Sequence, residues 1–245
     1  MKAMIFNSGL GNRMGEITKA IHKSMLKLKN GENILHRQLN ILSSLGIGEF
    51  IITVGPFEEQ IRETASDFSQ CKFYFVRNDI YYRTNYIYSM FLARDFVNDD
   101  MLFLHGDLVF NKGFARAILE NPVLNCAPLN RACSLPEKDF KGRIIDERLH
   151  EVSVKIFDEN CLAFQPFYKL SKAVASAWIG KVAQYVIDGQ TRCYAENALN
   201  EILPALDIRP IYYDDHFVEE IDTIDDYKRV SSAILAFDEV DKYSA

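Results

Sequence analysis

The chain has 245 residues and a formal net charge of −6, from 28 Lys and Arg against 34 Asp and Glu. This acidic balance disfavours nucleic-acid binding, which requires a basic surface, and no apolar stretch approaches the roughly 20 residues that a membrane span needs. The five cysteines form no Cys-x-x-Cys pair, and no signal-peptide pattern precedes the first strand. We therefore expect a cytoplasmic protein with free thiols.

Predicted strands and helices alternate through the first half of the chain. Short apolar or branched runs indicate the strands, and apolar residues at helical spacing indicate the helices. In chain order these elements are the strand 2–6, the helix 33–45, the strand 49–54, the helix 57–65, the strand 73–76, the helix 85–96 and the strand 100–105. The alternation predicts an α/β fold, a Rossmann-like single domain with a mixed, mainly parallel central sheet flanked by helices.

The second half of the chain has a less regular pattern. Its predicted elements are a strand at 124–128, a polar loop at 131–143, a hairpin of 144–145 with 151–156, a strand at 162–167, helices at 171–187 and 195–203, strands at 208–213 and 217–221, and a closing helix at 224–237. The length and polarity of the loop 131–143 permit it to act as a lid. No repeat or linker interrupts the chain, so we expect one domain over residues 1–245.

A glycine-bearing loop follows the first strand. The run Asn7-Ser8-Gly9-Leu10-Gly11-Asn12-Arg13 comes directly after the apolar residues 3–6, and Lys23 lies further along. Glycines let a backbone turn tightly and approach a ligand, and the N–H groups of such a loop can bind an anion. The pattern predicts a polyphosphate site, with Arg13 and Lys23 reaching the same anion; the alternative is a turn with two solvated cations. No Walker A sequence follows, and no third glycine completes a dinucleotide-binding fingerprint.

Two carboxylates are predicted to hold Mg²⁺. Asp107 follows Gly106 at the end of the apolar run 101–104, at the strand end where open α/β sheets bind ligands. Asp222 lies between a predicted strand and the closing helix. Mg²⁺ binds one or two carboxylates together with phosphate oxygens. The alternative is that Asp107 caps a loop and that Asp222 caps a helix.

Four more polar residues are candidates for ligand contacts. Asn85 and Ser89 share one face of a predicted helix whose N-terminus favours anions, although capping alone would also explain Asn85. Lys155 lies on a predicted strand and can face either a cleft or solvent. Glu196 begins a predicted helix, where it can bind a polar acceptor or favour the helix dipole.

Taken together, these residues resemble the nucleotidyltransferase family that activates sugar phosphates and phosphorylated amines. The hallmark of that family is a strand, a Gly-x-Gly-x-Arg loop and a later Pro-Lys pair, which stand here as Gly9-Leu10-Gly11-Asn12-Arg13 and His22-Lys23. The similarity extends through Gly106-Asp107 and Glu220-Ile221-Asp222. Residues 84–89 look like the branch that uses CTP, typified by phosphocholine cytidylyltransferases. Residues 6–15, 139–146 and 157–166 look like the branch that acts on phosphoglutamine in phosphoramidate modification of capsules.

The sequence departs from the family pattern at two places. The family usually has Ala-Gly or Ala-Ala where this chain has Asn7-Ser8, and proline where it has His22. Neither departure removes a charge that the chemistry needs, but both can alter the choice of nucleotide.

The resemblance implies a nucleotidyltransferase fold and a direct displacement at the α-phosphorus of CTP. A phosphorylated small-molecule acceptor would attack, and pyrophosphate would leave. Residues 1–110 would bind the nucleotide, and residues 111–245 would bind the acceptor. The catalytic cations would be Arg13 and Lys23, with Mg²⁺ on Asp107 and Asp222. The nucleotide contacts would be Asn7, Ser8, Gly9, Gly11, Gly55, Asn85, Ser89 and Gly106, and the acceptor contacts Lys155 and Glu196.

Other functions share parts of this pattern. A sugar-1-phosphate nucleotidyltransferase that uses UTP, GTP or dTTP would have the same loop and metal pair, and phosphocholine or 2-aminoethylphosphonate are alternative acceptors. A nucleotide-binding regulator would not need the full set of Arg13, Lys23, Asp107 and Asp222. A Rossmann oxidoreductase is disfavoured because no acidic residue closes the second strand, where Val54-Gly55-Pro56 stands. The aromatic content leaves room for a homodimer interface.

Overall fold

A mixed sheet with helices on both faces forms the body of the protein. The computed structural model describes residues 1–243, so the final two residues of the predicted acceptor-binding half, 244 and 245, lie outside the described residues. The strands are β1 (Lys2–Asn7), β2 (Glu49–Val54), β3 (Lys72–Arg77), β4 (Met101–His105), β5 (Leu108–Phe110), β6 (Cys126–Asn130), β7 (Lys141–Ile145), β8 (Arg148–Ser153), β9 (Cys161–Phe164), β10 (Phe167–Leu170), β11 (Arg209–Tyr212) and β12 (Val218–Glu220). The helices are α1 (Ile34–Ser44), α2 (Glu58–Ser66), α3 (Tyr86–Leu92), α4 (Lys112–Leu119), α5 (Lys172–Ile187), α6 (Ala195–Asn200) and α7 (Ile224–Tyr243).

The first half of the chain forms a parallel arrangement in the order β3-β2-β1-β4. β1 lies at the centre, with Phe6 opposite Thr53 of β2 on one side and His105 of β4 on the other. Because parallel strands end at the same edge, Asn7 and Gly106 come together there although they are far apart in sequence. The structure therefore confirms the predicted α/β fold with a mixed central sheet and places the glycine loop at that edge.

The second half of the chain extends the sheet with antiparallel strands. Over the described residues the sheet has ten strands, continuing from β4 through β10, β6, β9, β7 and β8, while β11 pairs parallel with β6. β5 and β12 form a separate two-stranded sheet. Through this pairing the segment that ends in Asp222 lies next to the one that follows Asp107. No helix of the described chain is long and apolar enough to cross a membrane.

Several predicted element boundaries are wrong in the second half. The predicted loop 131–143 includes the start of β7, and the predicted strand 162–167 is two strands, β9 and β10. The hairpin turn lies at Asp146 and Glu147, whose φ angles of 50° and 56° suit a tight two-residue turn. β8 ends at Ser153, so Lys155 follows the strand instead of lying on it. β5 and α4 were not among the predicted elements: β5 has only three residues, and α4 is a short helix of eight residues.

Two apolar layers bury the faces of the sheet. Alternation along β1 puts Ala3 and Ile5 on one face, under α1, α2 and α4, and Met4 on the other, under α3, α5 and α6. In the second layer the single tryptophan, Trp178 of α5, packs against Phe103 and Tyr168, with ring centroids 5.5 and 4.9 Å away. The Trp178 Nε1–H donates to the Ala195 carbonyl at 3.0 Å, which joins α5 to α6.

We expect Trp178→Phe to lower the free energy of unfolding by about 1–3 kcal/mol, because it removes the Nε1–H donor and part of a buried ring. Urea denaturation followed by circular dichroism measures this, since the substitution removes the tryptophan fluorescence. Tyr82→Phe is the matched control, because Tyr82 is 66% exposed and should change stability by less than about 0.5 kcal/mol. Equal stability of Trp178→Phe and wild type would contradict the packing described.

Candidate active site

A cavity of about 470 Å³ opens at the carboxyl ends of β1 and β4. The loop after β1, the segment that leads into α3, the end of β4 and the start of α7 surround it. The strand order explains this, because it brings four distant segments to one edge of the sheet. The predicted site residues that line the cavity are Asn7, Ser8, Gly9, Gly11, Arg13, Lys23, Asn85, Gly106, Asp107 and Asp222. Four others, Gly55, Ser89, Lys155 and Glu196, do not line it.

The glycine loop has an open face toward the cavity. Gly11 has a φ of 64°, a left-handed conformation that favours glycine, and a short 3₁₀ helix, Asn12–Lys19, begins directly after it. The Thr18 hydroxyl donates to the Gly11 carbonyl at 2.9 Å and holds this turn. A Cβ atom added to Gly9 would meet no described heavy atom within 4 Å, so a ligand can approach the backbone there.

The His22 ring connects the glycine loop to the segment that carries Lys23. His22 is 5% exposed. Its Nδ1 accepts the Ser24 backbone N–H at 3.1 Å, and its Nε2 lies 3.1 Å from the Gly9 carbonyl oxygen. Burial and the charge of Lys23 lower the pKa of His22 to about 4, so the ring is neutral near pH 7. The sequence showed His22 only as a departure from the family's proline, and its role as a tether was missed.

Gly55 and Gly106 allow the strand ends to approach one another closely. A Cβ atom on Gly55 would lie 2.5 Å from the Ser8 carbonyl oxygen, so Gly55 supports the loop from behind, whereas a nucleotide contact was expected for it. A Cβ on Gly106 would overlap the Asn7 side chain. Both amide atoms of Asn7 are buried and have no hydrogen-bond partner among the described residues.

Ser89 and Asn85 of the predicted helix take different positions. Ser89 is buried, 2.6 Å from the Ser8 hydroxyl, and accepts from the Asn78 amide at 3.0 Å. It therefore supports the loop from below and does not line the cavity, whereas a nucleotide contact was expected for it. Asn85 caps α3 by accepting the Tyr86 N–H at 2.7 Å and also lines the cavity. The capping role considered for Asn85 is therefore present alongside its place in the cavity wall.

The ammonium group of Lys23 lies between the two predicted metal ligands. Its Nζ is 2.6 Å from Asp107 and 2.7 Å from Asp222, and Arg13 also contacts Asp222, at 2.8 Å. Burial opposes ionisation of Lys23, but the two carboxylates outweigh it and raise the pKa of Lys23. Burial also opposes ionisation of Asp107, but the charge of Lys23 outweighs burial and lowers the pKa of this carboxyl. Both predicted catalytic cations and both predicted metal ligands therefore meet at one place.

Further acidic groups surround this centre and were missed by the sequence reasoning. Burial and the charge of Asp107 raise the pKa of Glu220 to about 7. Burial opposes protonation of His105, but its 3.1 Å contact with Glu220 raises the pKa of His105 to about 9. Burial and the charge of Asp222 raise the pKa of Asp139. Glu220 belongs to the motif Glu220-Ile221-Asp222 and could have been identified from it. Asp139 begins the segment 139–146, but no pattern in that segment indicated a position beside Asp222.

The carboxylates at this centre fit a hard divalent cation. Asp107 Oδ1 is buried and has no hydrogen-bond partner among the described residues, and a buried carboxylate oxygen without a partner is costly. One oxygen from each of Asp139, Glu220 and Asp222 lies within 4.8 Å of the others. Asp107 forms a separate group of this kind with His105 and Glu220. Oxygen ligands suit Mg²⁺, so the carboxylates around Glu220 are compatible with a divalent cation, although Asp107 and Asp222 fall in different groups.

Aromatic side chains form one wall of the cavity. Tyr86 packs against Phe6 and His105, with ring centroids 5.0 and 4.7 Å away, and Tyr194 also lines the cavity. Behind this wall the 1% exposed Glu196 accepts the hydroxyls of Tyr86 and Tyr168. Burial and the charge of Glu196 raise the pKa of both tyrosines well above 10.

Lys155 lies away from the cavity. Its side chain is exposed, and its backbone N–H donates to the Ser153 hydroxyl at 3.1 Å. A solvated position was the alternative reading of this residue. A contact between Lys155 and an acceptor stays a prediction.

Comparison with known proteins identifies the family. Residues 3–136 match the MobA-like NTP transferase domain family, so the chain belongs to that family. This confirms the nucleotidyltransferase resemblance. It also fits the geometry, because the matched residues carry the glycine loop, Lys23 and Asp107.

Two curated relatives match part of the chain. The choline-phosphate cytidylyltransferase of Haemophilus influenzae is 35% identical over 112 residues, 46% of this chain and 46% of the relative. The CTP:phosphoglutamine cytidylyltransferase of Campylobacter jejuni is 27% identical over 116 residues, 45% of each chain. The matched stretches thus span less than half the length of these relatives.

A solved structure resembles the whole fold. The CTP:phosphocholine cytidylyltransferase of Streptococcus pneumoniae superposes with a TM-score of 0.76 at 18% identity. The match covers 95% of this chain and 98% of that one. At this identity the similarity establishes the fold, including the antiparallel second half.

We expect Gly55→Ala to lower the free energy of unfolding by about 1–3 kcal/mol, because the new Cβ would collide with the Ser8 backbone. Gly48→Ala is the matched control, since a Cβ at Gly48 meets no described atom within 4 Å. Urea denaturation of both variants measures the difference. Equal stability of the two variants would show that the loop can move away without cost.

We expect the stability of the protein to fall between pH 6.5 and pH 4 through His22. The unfolded chain takes up a proton near pH 6.5, whereas the folded His22, with its pKa lowered to about 4, resists protonation. The contribution of the neutral His22 ring to the free energy of unfolding is therefore fully present above pH 6.5. It is lost as the pH falls, by about 2–3 kcal/mol at pH 4.5. Urea denaturation at pH 7.5 and 4.5 should show a smaller loss for His22→Gln. An equal loss in both proteins would contradict this assignment.

Proposed function

We propose that the protein is a Mg²⁺-dependent cytidylyltransferase that joins CTP to a phosphorylated small molecule and releases pyrophosphate. The observation that carries this proposal is the meeting of the glycine loop, Lys23, Asp107 and Asp222 in one cavity. Membership of an NTP transferase family supports nucleotidyl transfer, and the two curated relatives named above support CTP as the nucleotide.

The N-terminal half, residues 1–110, would bind the nucleotide. Backbone N–H groups of the loop and the exposed Arg13 side chain would hold the β- and γ-phosphates. Lys23 would contact the α-phosphate. An acceptor phosphate oxygen forms the new bond to the α-phosphorus while the bond to the β-phosphate oxygen breaks. The reaction joins two anions, so neutralisation of charge and in-line positioning are the main catalytic tasks. The acceptor phosphate is already ionised, so no general base is required.

Asp107 and Asp222 would hold Mg²⁺, with Glu220 and Asp139 close enough to adjust the charge of the site. When bound, the ion would supply positive charge to the phosphates. Lys23 lies between the two aspartates, and its ion pairs orient both carboxylates.

The second half, residues 111–245, would bind the acceptor, for which we propose an anion that also carries a cationic nitrogen. The aromatic wall of Tyr86 and Tyr194 lies beside several carboxylates, and rings with acidic neighbours attract ammonium groups. Our first choice of acceptor is glutamine phosphate, and phosphocholine and 2-aminoethylphosphonate come next. With glutamine phosphate the enzyme would act in the cytoplasm, in the phosphoramidate modification of capsular polysaccharide. Glu196 would act mainly through its charge behind Tyr86, and Lys155 would need to move to reach the acceptor.

Pyrophosphate release tests this function. CTP, UTP, GTP and ATP are each incubated with Mg²⁺ and with glutamine phosphate, phosphocholine, 2-aminoethylphosphonate or glucose-1-phosphate. We expect release with CTP and an acceptor that carries a nitrogen, and none after removal of Mg²⁺ by EDTA. Asp107→Asn should lower kcat/KM at least about 100-fold.

The matched control is Asp225→Asn on α7. The Asp225 side chain is 95% exposed, so this substitution should leave kcat/KM unchanged. Release with glucose-1-phosphate and UTP would favour the sugar-phosphate alternative. Nucleotide binding without release in any combination would indicate a regulator. Full activity of Asp107→Asn would overturn the proposed metal site.

A further inference from the structure

A hydrogen bond joins the His22 ring to Gly9 of the glycine loop. The Ser24 N–H donates to Nδ1 of His22, so Nδ1 must carry a lone pair. In a neutral ring the proton then lies on Nε2, which donates to the Gly9 carbonyl oxygen 3.1 Å away. The tautomer of the ring is therefore fixed by a backbone group.

The ring itself is held in place on several sides. The backbone N–H of His22 donates to Gln60 Oε1 at 3.0 Å, and the Ser24 hydroxyl lies 2.8 Å from Nδ1. The Phe57 ring packs against it, with centroids 6.0 Å apart. Because His22 is 5% exposed and its ring is anchored, it can serve as a rigid support for the exposed Gly9.

Fixing the Gly9 carbonyl also fixes the next N–H. The peptide between Gly9 and Leu10 is planar and trans, so its N–H points opposite to its C=O. Gly9 has no side chain that could hold this peptide. Before Gly9, the Ser8 hydroxyl contacts Ser89, and after it, the Gly11 carbonyl accepts the Thr18 hydroxyl. The His22 contact with Gly9 lies between these two positions of the loop.

We propose that His22 is a positioning residue that holds the Gly9–Leu10 peptide so that its N–H faces the phosphates of the nucleotide. This inference rests on the proposed function, because it assumes that the loop binds a nucleoside triphosphate. His22 does not touch the reacting atoms and acts through the backbone of the loop.

Two substitutions separate the contacts of the ring. His22→Asn can keep an acceptor for the Ser24 N–H, as asparagine does at helix starts, but its side chain is too short to reach Gly9. His22→Gln can place an amide N–H near the Gly9 carbonyl. Isothermal titration with CTP and Mg²⁺, without acceptor, should give a dissociation constant raised about 3–10-fold for His22→Asn and within about twofold of wild type for His22→Gln.

Steady-state kinetics supply a second measurement. His22→Asn should raise the KM for CTP and leave kcat at saturating CTP within about twofold, because the loop holds phosphates equally before and in the transition state. His36→Asn on α1 is the matched control and should change neither value. Circular dichroism of each variant checks folding. In wild type, NMR of the histidine side chains should show the His22 proton on Nε2, and this result does not depend on how the variants fold.

The outcomes are distinct. Wild-type affinity for CTP in His22→Asn, or equal weakening in both variants, overturns the role of the Gly9 contact, as does a proton on Nδ1. A wild-type protein that binds no CTP overturns the proposed function, and this inference with it. Binding of CTP by wild type with weakening confined to His22→Asn supports both.

Discussion

The ion pairs of Lys23 with Asp107 and Asp222 are the interaction on which the site depends. The three side chains come from the segment after β1, the end of β4 and the start of α7, and their charged atoms lie within 2.7 Å of their partners. Charges that are mostly buried must be paired, because an isolated charge in the protein interior is strongly unfavourable. The fold therefore has to bring these three segments together, and the sheet topology does so.

The space around this charged centre depends on residues that have no side chain. Gly55 lets the Ser8 carbonyl pack against the end of β2, and Gly106 makes room for Asn7. His22, Thr18 and Ser89 then hold the loop from three directions. The loop can thus be exposed to a ligand on one face and ordered on the other, which reduces the entropy that binding would cost.

The resemblance to other nucleotidyltransferases is strongest where these constraints act. The family match ends at residue 136, before the antiparallel strands β7 to β10 of the half proposed to bind the acceptor. Tyr86 lies within the residues matched to the family, and its hydroxyl donates to Glu196, which lies outside them.

The sequence alone was sufficient for the α/β fold, the glycine loop, and the residues Arg13, Lys23, Asp107 and Asp222, because local patterns carry this information. Alternation of strands and helices predicts parallel pairing, and glycines with cations predict an anion site. The positions of Gly55, Ser89 and Glu196 depended on tertiary structure, since each acts by packing against a residue that is distant in sequence. The same holds for Asp139 and the His22 tether, because hydrogen-bond partners such as the Gly9 carbonyl belong to the backbone and leave no trace in the residue pattern.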